Sequence, residues 1–338
     1  MKVAILSPVA WRTPPRHYGP WEQVAYNIAE GLVKLGIEVT LFATGDSLAP
    51  TELAWTVPSG YEEDPASDAK VAECLHISYL MEQAGAFDLI HNHFDFLPLT
   101  YSRLIDTPML TTIHGFSSSR ILPVYERYND RCSYVSISNA DRSPLLRYVA
   151  TVYNGLRTRE FTFNPDASTG RLVFLGRIHP DKGTWEAVQI ALESHREITL
   201  AGIIQDQAYF DEKIEPLIDG EQVRYIGPVG PEARDELLGS AAALLHPIRF
   251  EEPFGMSVAE AMLCGTPVIA FPLGSMDELI LDRQTGFLVS SVEEAAEAVA
   301  ALGMISRTRC HAWAVSRFSQ EKMCADYLKV YKEILELR

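Results

Sequence analysis

Two segments of this chain put charge where the backbone turns. In Leu175-Gly176-Arg177-Ile178-His179-Pro180-Asp181-Lys182-Gly183 a β-prone run ends at Gly176 and a helical pattern starts near Gly183. Arg177 and Lys182 thus fall at a strand's carboxyl end beside a helix start. Two cations and the free N–H groups of a helix N-terminus can hold a diphosphate without a metal. Taken alone, the segment fits equally a pair of exposed turn charges. The second segment runs from Glu252-Pro253-Phe254-Gly255-Met256-Ser257 to Glu260, after a β-prone run ending near His246. Pro253 and Gly255 break the chain, and residues 257–263 predict a helix that Gly265 ends. Backbone N–H groups around Gly255 and Met256 are open to an anion. Glu252 and Glu260 are carboxylates that can accept hydrogen bonds from sugar hydroxyls. The plainer alternative makes Glu252 a capping acid and Glu260 a solvent-facing residue. Val258, Ala261 and Met262 around Glu260 point instead to partial burial, where a carboxylate needs partners.

Other residue groups are less specific. His91 and His93 share one face of a strand, and with Asp95 they make a thin metal set, so a structural or substrate-lining role is preferred. The loop at 9–20 and the residue after it bring together Trp11, Arg12, Arg16, His17, Tyr18 and Trp21. Such a cluster is either an acceptor-sugar site, since sugars stack on aromatic rings, or a locally packed loop. Residues 120–147 hold Arg120, Arg127, Arg131, Arg142 and Arg147. A solvated helical face with internal ion pairs is preferred there over a surface for an anionic acceptor or lipid headgroup. No G-x-G-x-x-G follows the first strand. Neither a P-loop, an H-E-x-x-H nor a G-x-S-x-G elbow occurs.

The elements that must position these residues alternate between strand-like and helical runs, which predicts βαβ units and parallel sheets. Strands are expected at 2–8, 38–44, 87–91, 109–113, 134–138 and 151–154. A second series is expected at 171–175, 198–201, 223–226, 242–246, 267–270 and 287–289. A helix is expected over 22–35, with Val24, Ile28, Leu32 and Leu35 at helical spacing, and a packing helix over 320–335. Residues 45–75 read as an acidic surface excursion, and 159–170 as a linker. The 338 residues then form two α/β domains facing each other across a cleft, with ligands at the strands' carboxyl ends.

The net charge is −16, from 29 basic and 45 acidic residues. That excludes nucleic acid and broad binding to anionic surfaces. Residues 1–155 carry 11 basic and 17 acidic residues, and the remainder 18 and 28. The half that holds Arg177 and Lys182 is the more acidic, so affinity for a phosphate would rest on those few local groups. Five scattered cysteines without a C-x-x-C suit a reducing cytosol. No signal peptide or transmembrane run is expected, so the location is read as cytoplasmic, with peripheral membrane contact left open.

The two charged segments resemble the G-R-x4-K-G and E-x7-E signatures of family-4 (group 1) glycosyltransferases, which are retaining enzymes of the GT-B fold. The run from Glu252 to Ile269 is close to the family pattern throughout, and Gly274 to Leu279 followed by Thr285 to Val289 resembles its next block. In the first half the likeness is looser. Tyr18-Gly19-Pro20-Trp21-Glu22 is similar to the G-G-x-E loop with Pro20 for the second glycine. Thr112-Ile113-His114-Gly115 resembles the T-x-H-G turn. Asn154-Gly155 with Phe161 resembles the family's interdomain junction, with Arg157 for the usual Asp.

The resemblance implies a GT-B fold of two Rossmann-like domains. Residues 1–160 form the acceptor-side domain with helix 316–338 packed back on it, and 161–315 form the donor domain. It implies that Gly176, Arg177 and Lys182 bind the donor diphosphate, and that Glu252 holds the sugar with Phe254, Gly255, Met256 and Ser257. Glu260 then holds the ribose, Pro228 and Val229 meet the base, His114 lines the donor sugar, and Gly19 helps close the site. Trp11, Arg12, Tyr18, Trp21 and Asp95 are the acceptor-side candidates. The implied activity is metal-free, retaining transfer of a hexosyl unit to a hydroxyl acceptor, without a cofactor. The donor is a UDP-hexose first and GDP-mannose next. A non-catalytic nucleotide-sugar or glycan binder, a nucleotide-sugar epimerase and a phosphorylase are the rival readings. Departure of the diphosphate builds negative charge that preformed cations favour. Lys182→Ala is therefore expected to remain folded and lose most turnover, checked by circular dichroism beside a donor-consumption assay.

Overall fold

The computed structural model describes residues 1–16, 19–116, 118–166 and 169–337. The chain divides into two units, Met1–Gly155 with Gln320–Arg338, and Leu156–Ser319. The first unit carries a seven-stranded parallel sheet in the order β3-β2-β1-β4-β5-β6-β7. Its strands are β1 (Lys2–Leu6), β2 (Glu38–Phe42), β3 (Glu52–Ala54), β4 (Leu89–Asn92), β5 (Met109–Ile113), β6 (Ser133–Ser136) and β7 (Tyr148–Thr151). The second carries a six-stranded parallel sheet in the order β10-β9-β8-β11-β12-β13. These strands are β8 (Leu172–Leu175), β9 (Ile198–Ala201), β10 (Val223–Tyr225), β11 (Ala243–His246), β12 (Val268–Ala270) and β13 (Gly286–Leu288).

In both sheets the order reverses beside the first strand. The loops after β1 and β4 in one unit, and after β8 and β11 in the other, open at that reversal, where doubly wound sheets bind ligands. Most of the functional candidates come from these loops; His114 follows β5, and Pro228 and Val229 follow β10.

Alternation along β1 explains why the first sheet is covered on both faces. Val3 and Ile5 enter a core with Val24, Ile28 and Leu32 of the helix Pro20–Lys34 and with Met323, Tyr327 and Tyr331. Ala4 and Leu6 enter a second core with Ile77 and Leu80. The C-terminal helix Gln320–Glu336 therefore belongs to the first unit's core. Its tyrosines do more than fill space. The Tyr331 hydroxyl lies 2.6 Å from His91 Nδ1, and Tyr327 shares a hydrogen bond of 2.8 Å with Thr112 Oγ1. Gly31 lets the two helices approach, since a Cβ there would lie 2.3 Å from Cys324 Sγ.

Two expectations need correction. The strand read at 151–154 is β7, Tyr148–Thr151. The chain leaves the ladder at Val152, whose N–H still reaches the Ser136 carbonyl at 3.0 Å or less, namely 2.9 Å. The stretch 45–75 is not only an excursion. It adds the edge strand β3 and starts the helix Ala69–Glu82, capped by the Asp68 carboxylate on the Val71 N–H. Three residues are too few to show a period of two. The helix buries a polar His76 beside Ile77 and Leu80, which blurs its apolar stripe; His76 Nε2 is held by the Ser7 carbonyl at 2.9 Å. Within 120–147 the only α-helix among the described residues is Leu122–Arg127. Arg131 donates to the Ser102 carbonyl at 2.7 Å, and Arg142 to Ser136 Oγ at 3.0 Å. Among the described residues no helix is long and apolar enough to cross a membrane.

Gly31→Ala is expected to destabilise the first unit by about 1–3 kcal/mol through overpacking. Adding Cys324→Ala should recover most of that loss, because it removes the clashing sulfur. A denaturant double-mutant cycle measures the coupling.

Candidate functional site

In the second unit the loop after β8 turns through Pro180–Lys182 into Gly183, which has φ 70° and starts the helix Thr184–Glu193. A Cβ on Gly183 would lie 1.8 Å from the Pro247 carbonyl oxygen, so only glycine allows the loops after β8 and β11 to touch. The Arg249 N–H fastens them through the Asp181 carbonyl at 2.7 Å. This contact brings Lys182 Nζ onto Glu252 Oε2 in an ion pair. The Lys182 ammonium also sits 4.6 Å from the Phe250 ring centre. Arg177, from the same β8 loop, donates to Gln205 Oε1.

Glu252 does not cap the next helix. That helix, Met256–Leu263, has Gly255 at its N-cap with φ 89° and no side-chain cap. Glu252 is instead held by the loop after β12. Its carbonyl accepts the Ser275 N–H at 2.9 Å, while Glu251 Oε2 accepts the Gly274 N–H at 2.6 Å. Ser275 Oγ donates to the Phe254 carbonyl at 2.7 Å. The Phe254 ring is part of the core. It is 2 % exposed and packs edge-on against Phe318, so this residue offers only backbone. Met256 and Ser257 are half-buried in the first turn, beside N–H groups that have no helical acceptor.

Glu260 is buried, not solvent-facing. Its Oε1 pairs with Arg234 Nη1 at 3.0 Å, and Arg234 in turn lies over the Phe161 ring. Burial pushes the Glu260 carboxyl up, and Arg234 pulls it part of the way back. His246 ends β11 with Nε2 3.7 Å from Glu252 Oε2, too long for a hydrogen bond. Burial holds His246 neutral, with its pKa near 3. Pro228 is exposed and Val229 half-buried in the loop after β10.

The first unit has its own cavity of about 500 Å3 at the carboxyl ends of β1 and β4. Gly19, with φ 149°, starts the helix Pro20–Lys34, and Trp21 and Glu22 follow in its first turn. Trp11, Gly19, Trp21, Glu22 and Asp95 all line the cavity. Arg12 is outside this lining; its Nε donates to the Pro14 carbonyl at 3.1 Å. Tyr18 and His17 lie outside the described residues. His114 follows β5, stacks on Trp21 with centroids 5.5 Å apart, and shares a 2.9 Å hydrogen bond between its Nε2 and His93 Nδ1. Burial drives both imidazoles far below the usual histidine range, to about 3 for His114. His91 is tied to Tyr331 and Thr112. His91 and His93 therefore turn three of their ring nitrogens to protein partners. Among the described residues no three His, Cys, Asp or Glu side chains group as a metal site.

Two family models match the chain, "Glycosyltransferase Family 4" over residues 21–157 and "Glycosyl transferases group 1" over 169–303. The chain belongs to the family-4, group-1 glycosyltransferases. An uncharacterised glycosyltransferase of Methanocaldococcus jannaschii is 25% identical, covering 86% of this chain and 85% of its own. Among solved structures, a glycosyltransferase involved in avilamycin A biosynthesis matches with TM-score 0.73 and 24% identity, over 99% of this chain and 98% of its own. The Anabaena protein HepE, in complex with UDP and glucose, matches with TM-score 0.74 and 20% identity, over 98% and 100%. The fold of this glycosyltransferase is GT-B.

The structure groups Lys182, Glu252 and the start of helix Met256–Leu263 in the second unit of this glycosyltransferase. It also shows partners that motif reading passed over: Gln205 for Arg177, Arg234 for Glu260 and His93 for His114. None has a motif spacing of its own. Gly274, the first residue of the block read at 274–279, packs on the Glu252 loop; at φ 62° its Cβ would lie 2.3 Å from both the Glu252 nitrogen and oxygen. Gly274→Ala is expected to push Glu252 off Lys182. Turnover should fall on the order of 10- to 100-fold, as misplacement of about 1 Å does elsewhere; steady-state kinetics on the variant checks this.

Proposed function

We propose that this glycosyltransferase moves a hexosyl unit from a nucleotide-diphosphate sugar to an acceptor hydroxyl, with a UDP-hexose favoured as donor over GDP-mannose. The carrying observation is the Lys182–Glu252 ion pair beside the open N-terminus of helix Met256–Leu263. Without donor the two charges satisfy one another. A diphosphate offers Lys182 a stronger anionic partner, and the freed Glu252 carboxylate then accepts hydrogen bonds from the sugar. Gly176 leads into Arg177, whose Gln205 contact is neutral and exchangeable for a phosphate. The N–H groups at Gly255, Met256 and Ser257 add partial positive charge.

The ribose falls to Glu260, already oriented by Arg234, and the base to Pro228 and Val229. His114, Arg177, Lys182 and Glu252 form the catalytic set. Neutral His114, oriented by His93, supplies a hydrogen bond to a sugar hydroxyl. The bond from the anomeric carbon to the diphosphate oxygen breaks, and the carbon's new bond forms to the acceptor oxygen. The acceptor proton leaves on the departing diphosphate, so configuration is retained by front-side attack and no protein nucleophile is used. The cations stabilise the leaving group, in place of a metal or other cofactor. The cavity of the first unit takes the acceptor, with Trp11, Trp21 and Asp95 in its wall. Domain limits of 1–160 with 316–338, and 161–315, describe the acceptor and donor parts. A cytoplasmic location fits this donor class. HepE bound to UDP and glucose supports the choice of a UDP-sugar.

Thermal shifts with UDP, GDP and ADP, then with their sugars, test the reading. Saturation to about 100 times Kd adds about 2.7 kcal/mol of stability. UDP is expected to give the largest rise and UDP-hexose slow hydrolysis. Absence of a shift with every nucleotide would leave a binder of other ligands and sink the donor reading.

A further inference from the structure

The first unit's cavity is unusual in its charge. Glu22, Glu73 and Asp95 all line it, and no Lys or Arg side chain does so among the described residues. Glu22 is 3 % exposed and its carboxylate accepts the Trp11 N–H, a neutral donor. Glu73 Oε1 is met by the Tyr61 hydroxyl at 3.2 Å. Asp95 Oδ1 is met by the Tyr125 hydroxyl, and its carboxylate also accepts the Phe96 N–H. Among the described residues none of the three carboxylates has an ion-pair partner. The nearby cations are committed elsewhere. Arg16 spans Asp46 and Glu63 at 3.0 and 2.7 Å, and Arg12 Nε is on the Pro14 carbonyl.

The cavity is built, not incidental. Asp95 is held in a left-handed conformation, φ 70°, which costs a non-glycine residue energy. Asn92 fixes that turn, accepting the Phe94 N–H at 2.8 Å and donating to the Asp95 carbonyl at 2.8 Å. Trp11, Trp21 and Tyr61 line the cavity together with the acids, Trp21 having one face stacked on His114. A volume of about 500 Å3 falls within the usual range for a small-molecule site.

Aromatic faces suit the C–H face of a ring, and carboxylates suit hydroxyl or ammonium donors. An ammonium gains twice here, from the carboxylates and from the indole faces. A phosphate meets three carboxyl groups and no cation, and would be desolvated without compensation. We propose that this cavity sorts acceptors by charge, binding an amine-bearing sugar or cyclitol ahead of its hydroxyl counterpart, and both ahead of the phosphorylated form. The assignment rests on the reading of this cavity as the acceptor site. Burial holds Glu22 up to about 7 and Asp95 up to about 6, and a bound ammonium would favour their charged forms.

The test uses the full chain with UDP present and three probes that differ only at C6: 6-amino-6-deoxyglucose, glucose and glucose 6-phosphate. Indole N–H shifts of Trp11 and Trp21 report occupancy, and titration gives each Kd at pH 7. The expected order is amine, hydroxyl, phosphate, with at least fivefold between neighbours. In Glu73→Gln/Asp95→Asn the amine's advantage over glucose should shrink below twofold. Any other order, or an amine advantage that survives the double variant, overturns the proposal and leaves the acceptor site standing. If none of the three probes moves either indole signal, the acceptor reading falls with it.

Discussion

Lys182 and Glu252 hold one another at the carboxyl edge of the second sheet, with side chains only 15 % and 11 % exposed. Two charges so poor in water are stable only as partners or with a ligand between them, since a lone buried charge costs several kcal/mol. Much of the surrounding geometry exists to keep them together. Gly183 lets the β8 loop reach the β11 loop, Arg249 ties the two, and Gly274 and Ser275 clamp Glu252 from a third side. In the donor reading proposed above, this makes an anion site whose cation is largely desolvated and aimed before a phosphate arrives. This also answers the charge problem posed by a net −16. The long-range field opposes an anion, but it is screened beyond about 10 Å in salt, whereas Lys182, Arg177 and the helix start act at contact.

The first unit is organised by a different constraint, the need of buried polar side chains for hydrogen-bond partners. His91, Thr112, Tyr327 and Tyr331 satisfy each other across two strands and the C-terminal helix. One layer nearer the sheet's carboxyl edge, His93 Nδ1 pairs with His114 Nε2, while His93 Nε2 is buried without a partner. The last helix of the chain thus helps fix the strand ends from which the cavity is built. Trp21 closes the series by stacking on His114. Burial removes the charge from all three imidazoles, and among the described residues the Asp, Glu, Lys or Arg side chains that line the cavity are all acidic.

The alternation of strand and helix, the helix over Pro20–Lys34 and the two charged segments were legible because each is local. A period of two or 3.6, a glycine that ends a strand, and two acids with seven residues between them are all properties of short windows. Residues read from such windows, Lys182, Glu252 and Glu260, do sit in one unit at the edge of one sheet. What failed to show was short or polar: β3 has three residues, and the helix Ala69–Glu82 buries a histidine. Phe254 looked like a ligand residue because it lies inside the motif, yet its ring is core.

By itself the sequence determined the fold class, the family and the chemical types available, because periodicity and spacing survive in one dimension. Only the tertiary structure decided the partners. Arg234 reaches Glu260 across 26 positions, Glu252 reaches Lys182 across 70, and the C-terminal tyrosines meet a histidine and a threonine more than 200 residues earlier. A charge's meaning depends on whether another charge, a hydroxyl or water faces it, and that is settled by which loops the sheet order brings together.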